Sequence, residues 1–259
     1  PSVDEVIQVA EGARVTGIVS HVKALGPDSW GKSAEIIAHI EAARRRGVAM
    51  WADQYPYGAS STSLAAAVLP GVATAAVRER LANPSTKQRL DAIAKAKGVP
   101  EPQAAVDIIL NGGASIVSFN MSETDIRALM RQPWTMTSSD GGLSLPGEGV
   151  PHPRNNGAFA RKLARYVRDE RVVSLDAALH SMTALPAQVF GLAQRGVIRG
   201  GAIADIAIFD PAKIQDRATY DNPHQLATGM THVIVNGKVA WRDGRGTGVR
   251  AGVVLRPGT

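Results

Sequence analysis

Two short β-branched runs enclose one amphipathic stretch near the start of the chain, and that order constrains the fold more than any other feature. Val15-Thr16-Gly17-Ile18-Val19-Ser20 reads as a buried strand. Ser33 to Arg46 places Ile36, Ile37, Ile40 and Ala43 on one helical face. Val48-Ala49-Met50-Trp51-Ala52 is the next apolar strand, closed by Asp53-Gln54-Tyr55-Pro56-Tyr57. Strand, loop, helix and strand at this spacing make a βαβ unit.

The alternation then lapses and resumes. Residues 64–113 are Ala-rich and broken at Pro70-Gly71, Pro84 and Pro100, which predicts an insertion of short helices over about 62–113. Ala114 to Phe119 predicts another strand. Ser122-Glu123-Thr124-Asp125 resembles a capping box with Asp in the fourth place, opening a helix to about Gln132. Trp134 to Ser138 is a short strand ending at Asp140-Gly141-Gly142. A Gly/Pro loop runs to about Asn156, followed by helices over 158–170 and from Leu175 to Phe190, the second capped by Ser174.

After Gly191 the texture changes. Gly196 to Asp210 alternates and is punctuated by turns. His232 to Trp241 reads as a hairpin turning at Asn236-Gly237, and Gly252 to Leu255 as a last strand. The expected organisation is an α/β body over 1–192 and a small antiparallel β domain over 193–259. About four strands precede position 140, too few to close an eight-stranded barrel. The body is therefore an open doubly wound sheet or a piece of a larger barrel. Val3, Val6, Ile7 and Ala10 recur at helical spacing, so 1–13 reads as the remainder of a helix, with polypeptide expected upstream of Pro1.

Composition removes several classes. No run of about 18 apolar residues occurs, so no membrane-spanning helix is expected. The chain has no Cys, which excludes a disulfide framework and a thiolate metal site from this chain and fits a cytoplasmic protein. A net charge of +6 invites a nucleic-acid reading. Basic clustering is limited to Arg44-Arg45-Arg46 and the Arg161–Arg171 helix, without interleaved aromatics, so solvated helix faces explain it and no nucleic-acid partner is expected.

In parallel α/β folds, reactive side chains follow the carboxyl ends of strands. His21, the Asp53–Tyr57 segment and Asp140 occupy such positions. Taken singly, a His is more often structural and an Asp before Gly-Gly a turn residue. Together they make a sensible metal pair, because imidazole suits zinc and a carboxylate can bind the ion while taking a proton from water. Three protein ligands are usual for catalytic zinc. His39, His180, His224 and His232 read as structural, and His152, in the loop after Asp140, can reach a site. Part of the site is therefore expected elsewhere.

Several longer motifs carry a resemblance. His21-Val-Lys23, Asp53-Gln-Tyr55-Pro-Tyr57-Gly-Ala-Ser-Ser61-Thr, Ser139-Asp140-Gly141, His152-Pro-Arg154 and Asp205-Ile-Ala-Ile-Phe-Asp210-Pro together resemble the N-acyl-D-amino-acid deacylases, metal-dependent amidohydrolases. Met182-Thr183-Ala-Leu-Pro186-Ala, Arg217-Ala-Thr-Tyr220 with Pro223-His224, and Val233-Ile-Val-Asn-Gly237 extend it over nearly the whole chain, in order. The resemblance covers only the carboxyl-terminal half of that family.

It implies the later strands and helices of a distorted (β/α)8 TIM-like barrel carrying a small β domain, and Zn2+ (one or two ions) as cofactor. His21 matches the sixth-strand metal His. Asp140 matches the eighth-strand Asp, a metal ligand and the general base and acid. Lys23, Tyr55, Ser61 and Arg154 match residues that hold the acyl-amino-acid substrate. A carboxylate needs such a cation or fork of N–H donors. The family's His-x-His, its Cys and its fifth-strand His have no counterpart here. Hydrolysis of an N-acyl-D-amino acid by a two-chain enzyme is the implied activity, the amino-terminal half being the partner. The competing reading is an inactive half-barrel with a structural or regulatory role. The Ala-rich insertion departs most from the family, which puts side-chain preference in doubt.

Overall fold

The computed structural model describes residues 2–67, 81–83, 88–145 and 147–256. Strands of the first part are β1 (Gly17–Val19), β2 (Met50–Gln54), β3 (Ser60–Ser63), β4 (Leu81–Asn83), β5 (Gln88–Arg89), β6 (Ser115–Ser118) and β7 (Thr135–Thr137). Later come β8 (Ile206–Phe209), β9 (Met230–Val235), β10 (Lys238–Arg242) and β11 (Arg245–Gly246).

Strands β1, β2 and β7 form a parallel sheet with β2 in the middle. The helices Ser2–Ala13 and Ser33–Arg45 lay Ile7, Ala10, Ile40 and Ala43 against Met50, Ala52, Leu129 and Trp134 in one core. Burying each large side chain there stabilises the fold by about 1.5–3 kcal/mol. A Cβ on Gly17 would stand 2.5 Å from Met50 Sδ and 2.9 Å from Ala10 Cβ, so glycine lets the first helix approach the strand.

Ala114–Phe119 departs from the expectation that it continues the body sheet. β6 pairs antiparallel with β3 and β4, in a separate sheet of order β3-β6-β4-β5. Helices Leu64–Ala67, Leu90–Lys97 and Glu101–Leu110 accompany it, with Leu64, Leu90, Ala104 and Ile116 in a core of their own. The Ala-rich stretch thus contains strands as well as helices. The expected breaks at Pro70-Gly71 and Pro84 lie outside the described residues, and Pro100 precedes the Glu101–Leu110 helix.

The capping box at Ser122 does not form. Ser122 is the N-cap residue of the Glu123–Met130 helix but makes no side-chain cap bond. Asp125 instead accepts from Gly31 N at 2.8 Å and Ser33 N at 3.2 Å. Those amides stand at the start of the Ser33–Arg45 helix, whose own N-cap, Lys32, offers no side-chain bond. The tertiary contact wins because it satisfies a buried carboxylate and two N–H donors together.

The expected helix from Leu175 to Phe190 breaks at Thr183 (φ −131°, ψ −80°) into Leu175–Met182 and Ala184–Val189. Pro186 has no N–H to give Met182 O and its ring would strike that carbonyl. The expected cap is present, since Ser174 Oγ accepts from Ala177 N at 3.1 Å. The preceding helix begins at Arg154 and turns π-helical over Lys162–Asp169. The last sheet has the order β11-β10-β9-β8 and is antiparallel. Its hairpin turns at Asn236 (φ 47°) and Gly237 (φ 75°), the two positive angles of a type I′ turn. Gly252–Leu255, expected as a strand, forms none with the described residues, and Val253 and Val254 are exposed. Among the described residues no helix is long and apolar enough to cross a membrane.

Candidate active site

The two outer strands of the parallel sheet each lead into a residue that leaves β geometry. His21, just past β1, has φ 42°, and Asp140, just past β7, has φ 47°. A non-glycine residue in the left-handed region costs roughly 1–3 kcal/mol and persists where its surroundings hold it. The holding group is Asp53 on β2. Its Oδ1 accepts from His21 N at 3.0 Å and from Ser138 Oγ at 2.6 Å.

These strand ends open on a cavity of about 250 Å³. His21, Lys23, Tyr55, Ser61, Asp140 and Arg154, the six residues singled out in the sequence, all line it. Leu25, Ser60, Thr62, Ser118 and Asn120 complete most of its wall. The insertion sheet therefore forms one side of the cavity and the parallel strand ends the other.

Arg154 Nη1 and Asp140 Oδ2 are 2.9 Å apart as an ion pair, and Arg154 Nη2 donates to Ser61 O at 3.5 Å. Among the described residues Arg154 Nε and Nη1 find no aligned hydrogen-bond acceptor, although the side chain is buried. The guanidinium lies 4.5 Å from the Tyr55 ring centroid and Lys23 Nζ 5.3 Å from it. Burial lowers the Lys23 ammonium to about 8, against the opposing charge of Asp140. Burial also raises the Tyr55 phenol well above its usual range, so it stays a neutral donor. Among the described residues its hydroxyl makes no well-formed hydrogen bond. The cavity thus offers two cations and a phenol to an anion.

Lys23 Nζ lies 2.9 Å from His21 Nδ1. An ammonium has no acceptor, so Nδ1 receives this bond. Among the described residues no group of three or more His, Cys, Asp and Glu side chains can hold a metal ion. His21 and Asp140 are two donors on one cavity, one fewer than a catalytic zinc usually takes from protein. By themselves they do not complete a zinc site.

His152 is not part of the cavity wall. It is buried, receives Arg154 N on Nδ1 at 3.0 Å and therefore donates from Nε2 to Ala59 O at 3.0 Å. Burial lowers it to about 3, with the Arg154 charge adding to the effect. It positions Arg154 and closes the Tyr55–Ser61 loop. His39 pairs with Asp4 at 2.6 Å and His224 bonds Gly149 O at 3.1 Å, both away from the cavity. Sequence reasoning placed the Asp53–Tyr57 segment at a strand end but gave Asp53 itself no individual role. Ser60, Ser118 and Asn120 carried none, because small polar residues in a short strand look like any surface strand.

A sequence profile described as the amidohydrolase family matches residues 13–240. The N-acyl-D-glutamate deacylase of Alcaligenes xylosoxydans xylosoxydans is 39% identical over 252 residues, covering 91% of this chain and 47% of its own length. The D-aminoacylase of the same organism is 36% identical over 98% of this chain and 51% of its own. The crystal structure of N-acyl-D-glutamate deacylase from Bordetella bronchiseptica was determined with zinc and a phosphonate mimic of the tetrahedral intermediate. It superposes with a TM-score of 0.87 at 37% identity, covering 98% of this chain and 52% of that one. The chain spans about half the length of the curated relatives it matches. With strand ends, cavity and profile in agreement, this chain belongs to the amidohydrolase family.

Proposed function

We propose that this chain is the carboxyl-terminal part of a (β/α)8 amidohydrolase that hydrolyses the amide bond of N-acyl-D-amino acids. The observation that carries the reading is the gathering of His21, Lys23, Tyr55, Ser61, Asp140 and Arg154 on one cavity. Relatives named for deacylation of N-acyl-D-glutamate and for D-aminoacylase activity support the substrate class.

The substrate's free carboxylate takes the Arg154 fork, with Lys23 as a second cation and the Tyr55 phenol as a donor. This clamp fixes the acyl amide beside Asp140 and decides which stereoisomer is productive. Asp140 takes the proton of the attacking water and returns it to the leaving amine. The insertion side of the cavity limits access of bulk water. A zinc ion, when bound, supplies a Lewis acid and lowers the pKa of water. His21 and Asp140 are the donors this chain would give it, and the remaining ligands belong to an amino-terminal half.

Two features support that partner. Among the described residues the parallel sheet ends at β1 and β7, each with one unpaired side, and Val9 and Val15 are exposed beside β1. Open edges and apolar surface of this kind call for cover.

The test is zinc content and turnover of N-acetyl-D-amino acids, for residues 1–259 alone and with an amino-terminal half. His21→Ala lowers metal content, whereas Asp140→Asn abolishes turnover and keeps part of the metal. Normal activity in both variants refutes the assignment. Tight zinc binding and full activity of the isolated monomer refute the partner. An assembled, zinc-loaded protein that hydrolyses nothing favours the structural role instead.

A further inference from the structure

The loop between β8 and β9 leaves the last sheet and returns to the candidate active site. A bridge closes its base, with Gln215 N donating to Thr228 O at 3.1 Å and Thr228 N to Gln215 O at 2.9 Å. Three contacts pin the loop to the α/β body. Asp216 Oδ2, on a buried side chain, pairs with Arg161 Nη1 at 3.1 Å. Pro223 O accepts from Asn156 Nδ2 at 2.8 Å, and His224 Nε2 donates to Gly149 O at 3.1 Å. Gly157 permits the close approach: a Cβ there would strike Tyr57 Oη and stand 3.3 Å from Asp216 Cβ. The loop is thus fixed on both sides of Tyr220.

Tyr220 packs on the cluster of Tyr55, Tyr57 and Ala158. Its ring stands 5.2 Å from the His152 ring at 81°, and the Tyr57 ring stands 5.1 Å from His152 at 88°. Phe119 backs Tyr220 at 4.8 Å. Edge-to-face pairs at this spacing are favourable beyond the area they bury. His152 is therefore held between two tyrosines, one from the body and one from the loop. Its two nitrogens are those bonded to Arg154 N and Ala59 O. A rotated ring would break at least one of these bonds. The plane of His152 thus sets both the start of the helix that carries Arg154 and the loop that carries Tyr55 and Ser61.

We infer that Tyr220 is a positioning residue for the substrate's carboxylate, acting through His152 on Arg154. The inference rests on the deacylase reading, in which Arg154 receives that carboxylate, and adds a part for a loop of the last sheet. Tyr220 is not part of the cavity wall, so it acts without touching substrate. Its ring keeps His152 upright, and His152 keeps the guanidinium where the carboxylate arrives. A fork of N–H donors works only when its plane and distance match the carboxylate. Asp140 has its own support, since Ser138 is tied to Asp53 at 2.6 Å. Loss of the Tyr220 ring therefore weakens substrate binding more than it slows the chemical step, and the effect falls on KM.

The experiment measures kcat and KM of the complete zinc-loaded enzyme, with its amino-terminal half, on N-acetyl-D-glutamate and N-acetyl-D-leucine, with melting temperature beside them. Tyr220→Phe keeps the ring, whereas Tyr220→Leu and Tyr220→Met remove it. The ringless variants should raise KM about three- to ten-fold with kcat within about two-fold of the parent, and Tyr220→Phe should match the parent. A folded ringless variant with the parent's KM, or one whose loss lies in kcat alone, overturns the inference. So does a phenylalanine variant as impaired as the ringless ones, because the hydroxyl would then be the acting group. If neither ringless variant folds, Tyr220 is structural and the inference fails while the deacylase reading stands. If the parent hydrolyses neither substrate, the underlying reading fails and takes this inference with it.

Discussion

Asp53 on β2 accepts the hydroxyl of Ser138, just past β7, at 2.6 Å. The same oxygen accepts the backbone N–H of His21, just past β1, at 3.0 Å. One carboxylate oxygen thereby ties the carboxyl ends of three neighbouring strands. The ties fall on or beside the two residues with left-handed backbone, His21 and Asp140. Parallel strands have no hairpin to set their relative ends, so a side-chain latch does that work here.

Removing the latch should loosen the site and weaken the fold. Asp53→Ala loses two hydrogen bonds to a carboxylate and is expected to destabilise the protein by about 1–3 kcal/mol. Asp53→Asn keeps an oxygen acceptor and should lose less. Urea denaturation of the three proteins measures this, and an alanine variant as stable as the parent would show that the latch does not hold the strands.

His152 should remain neutral far into acid. Its pKa lies at about 3 in the folded chain, lowered by burial from an ordinary 6.5. The unfolded chain takes up that proton first as pH falls. The His152 contribution is therefore complete above about 6.5 and is lost progressively toward 3. Nitrogen chemical shifts should report a neutral ring protonated on Nε2 at pH 5. An imidazolium there would contradict the assigned bonds to Arg154 N and Ala59 O.

Lys162 predicts a slope of the same sign at high pH. It is buried, bonded to Thr137 Oγ1 at 2.7 Å and Ser181 Oγ at 2.8 Å, and burial lowers it to about 8 from 10.5. Between those values the unfolded chain binds the extra proton, so stability rises with pH. Lys162→Met should flatten that rise and keep most of the stability at pH 7, because Thr137 and Ser181 already bond each other at 2.8 Å. Thermal melts from pH 7 to 10.5 for both proteins decide it; parallel curves would remove Lys162 as the cause.

Arg154→Lys should raise KM more than it lowers kcat. Lysine keeps the charge but loses the planar fork and the packing on Tyr55. A loss of one charge-assisted bond corresponds to about ten-fold or more in KM. An unchanged KM for N-acetyl-D-amino acids would separate Arg154 from the substrate carboxylate.

The local chemistry of this chain was legible from the residues alone. The βαβ unit, the helix over 33–45 and the Asn236-Gly237 hairpin follow from patterns of period 3.6 and 2 and from turn chemistry, all of which act over a few residues. The positions of His21 and Asp140 were readable because a strand end is itself a local event. Partner choice was not readable. Four residues, Ser115–Ser118, look the same whether they join the parallel sheet or, as here, an antiparallel one, since strand pairing is decided by distant segments. The same holds for side chains whose partners are far along the chain. Asp125 turned from its own helix to the start of another, His152 became a neutral prop under Arg154, and Ser118 and Asn120 met the cavity only when the insertion sheet folded over the strand ends. Sequence determined most of the elements and several of the residues that end them, though not the break at Thr183 or the fate of Gly252–Leu255; only tertiary packing, by choosing long-range partners and removing water from them, decided what those residues face.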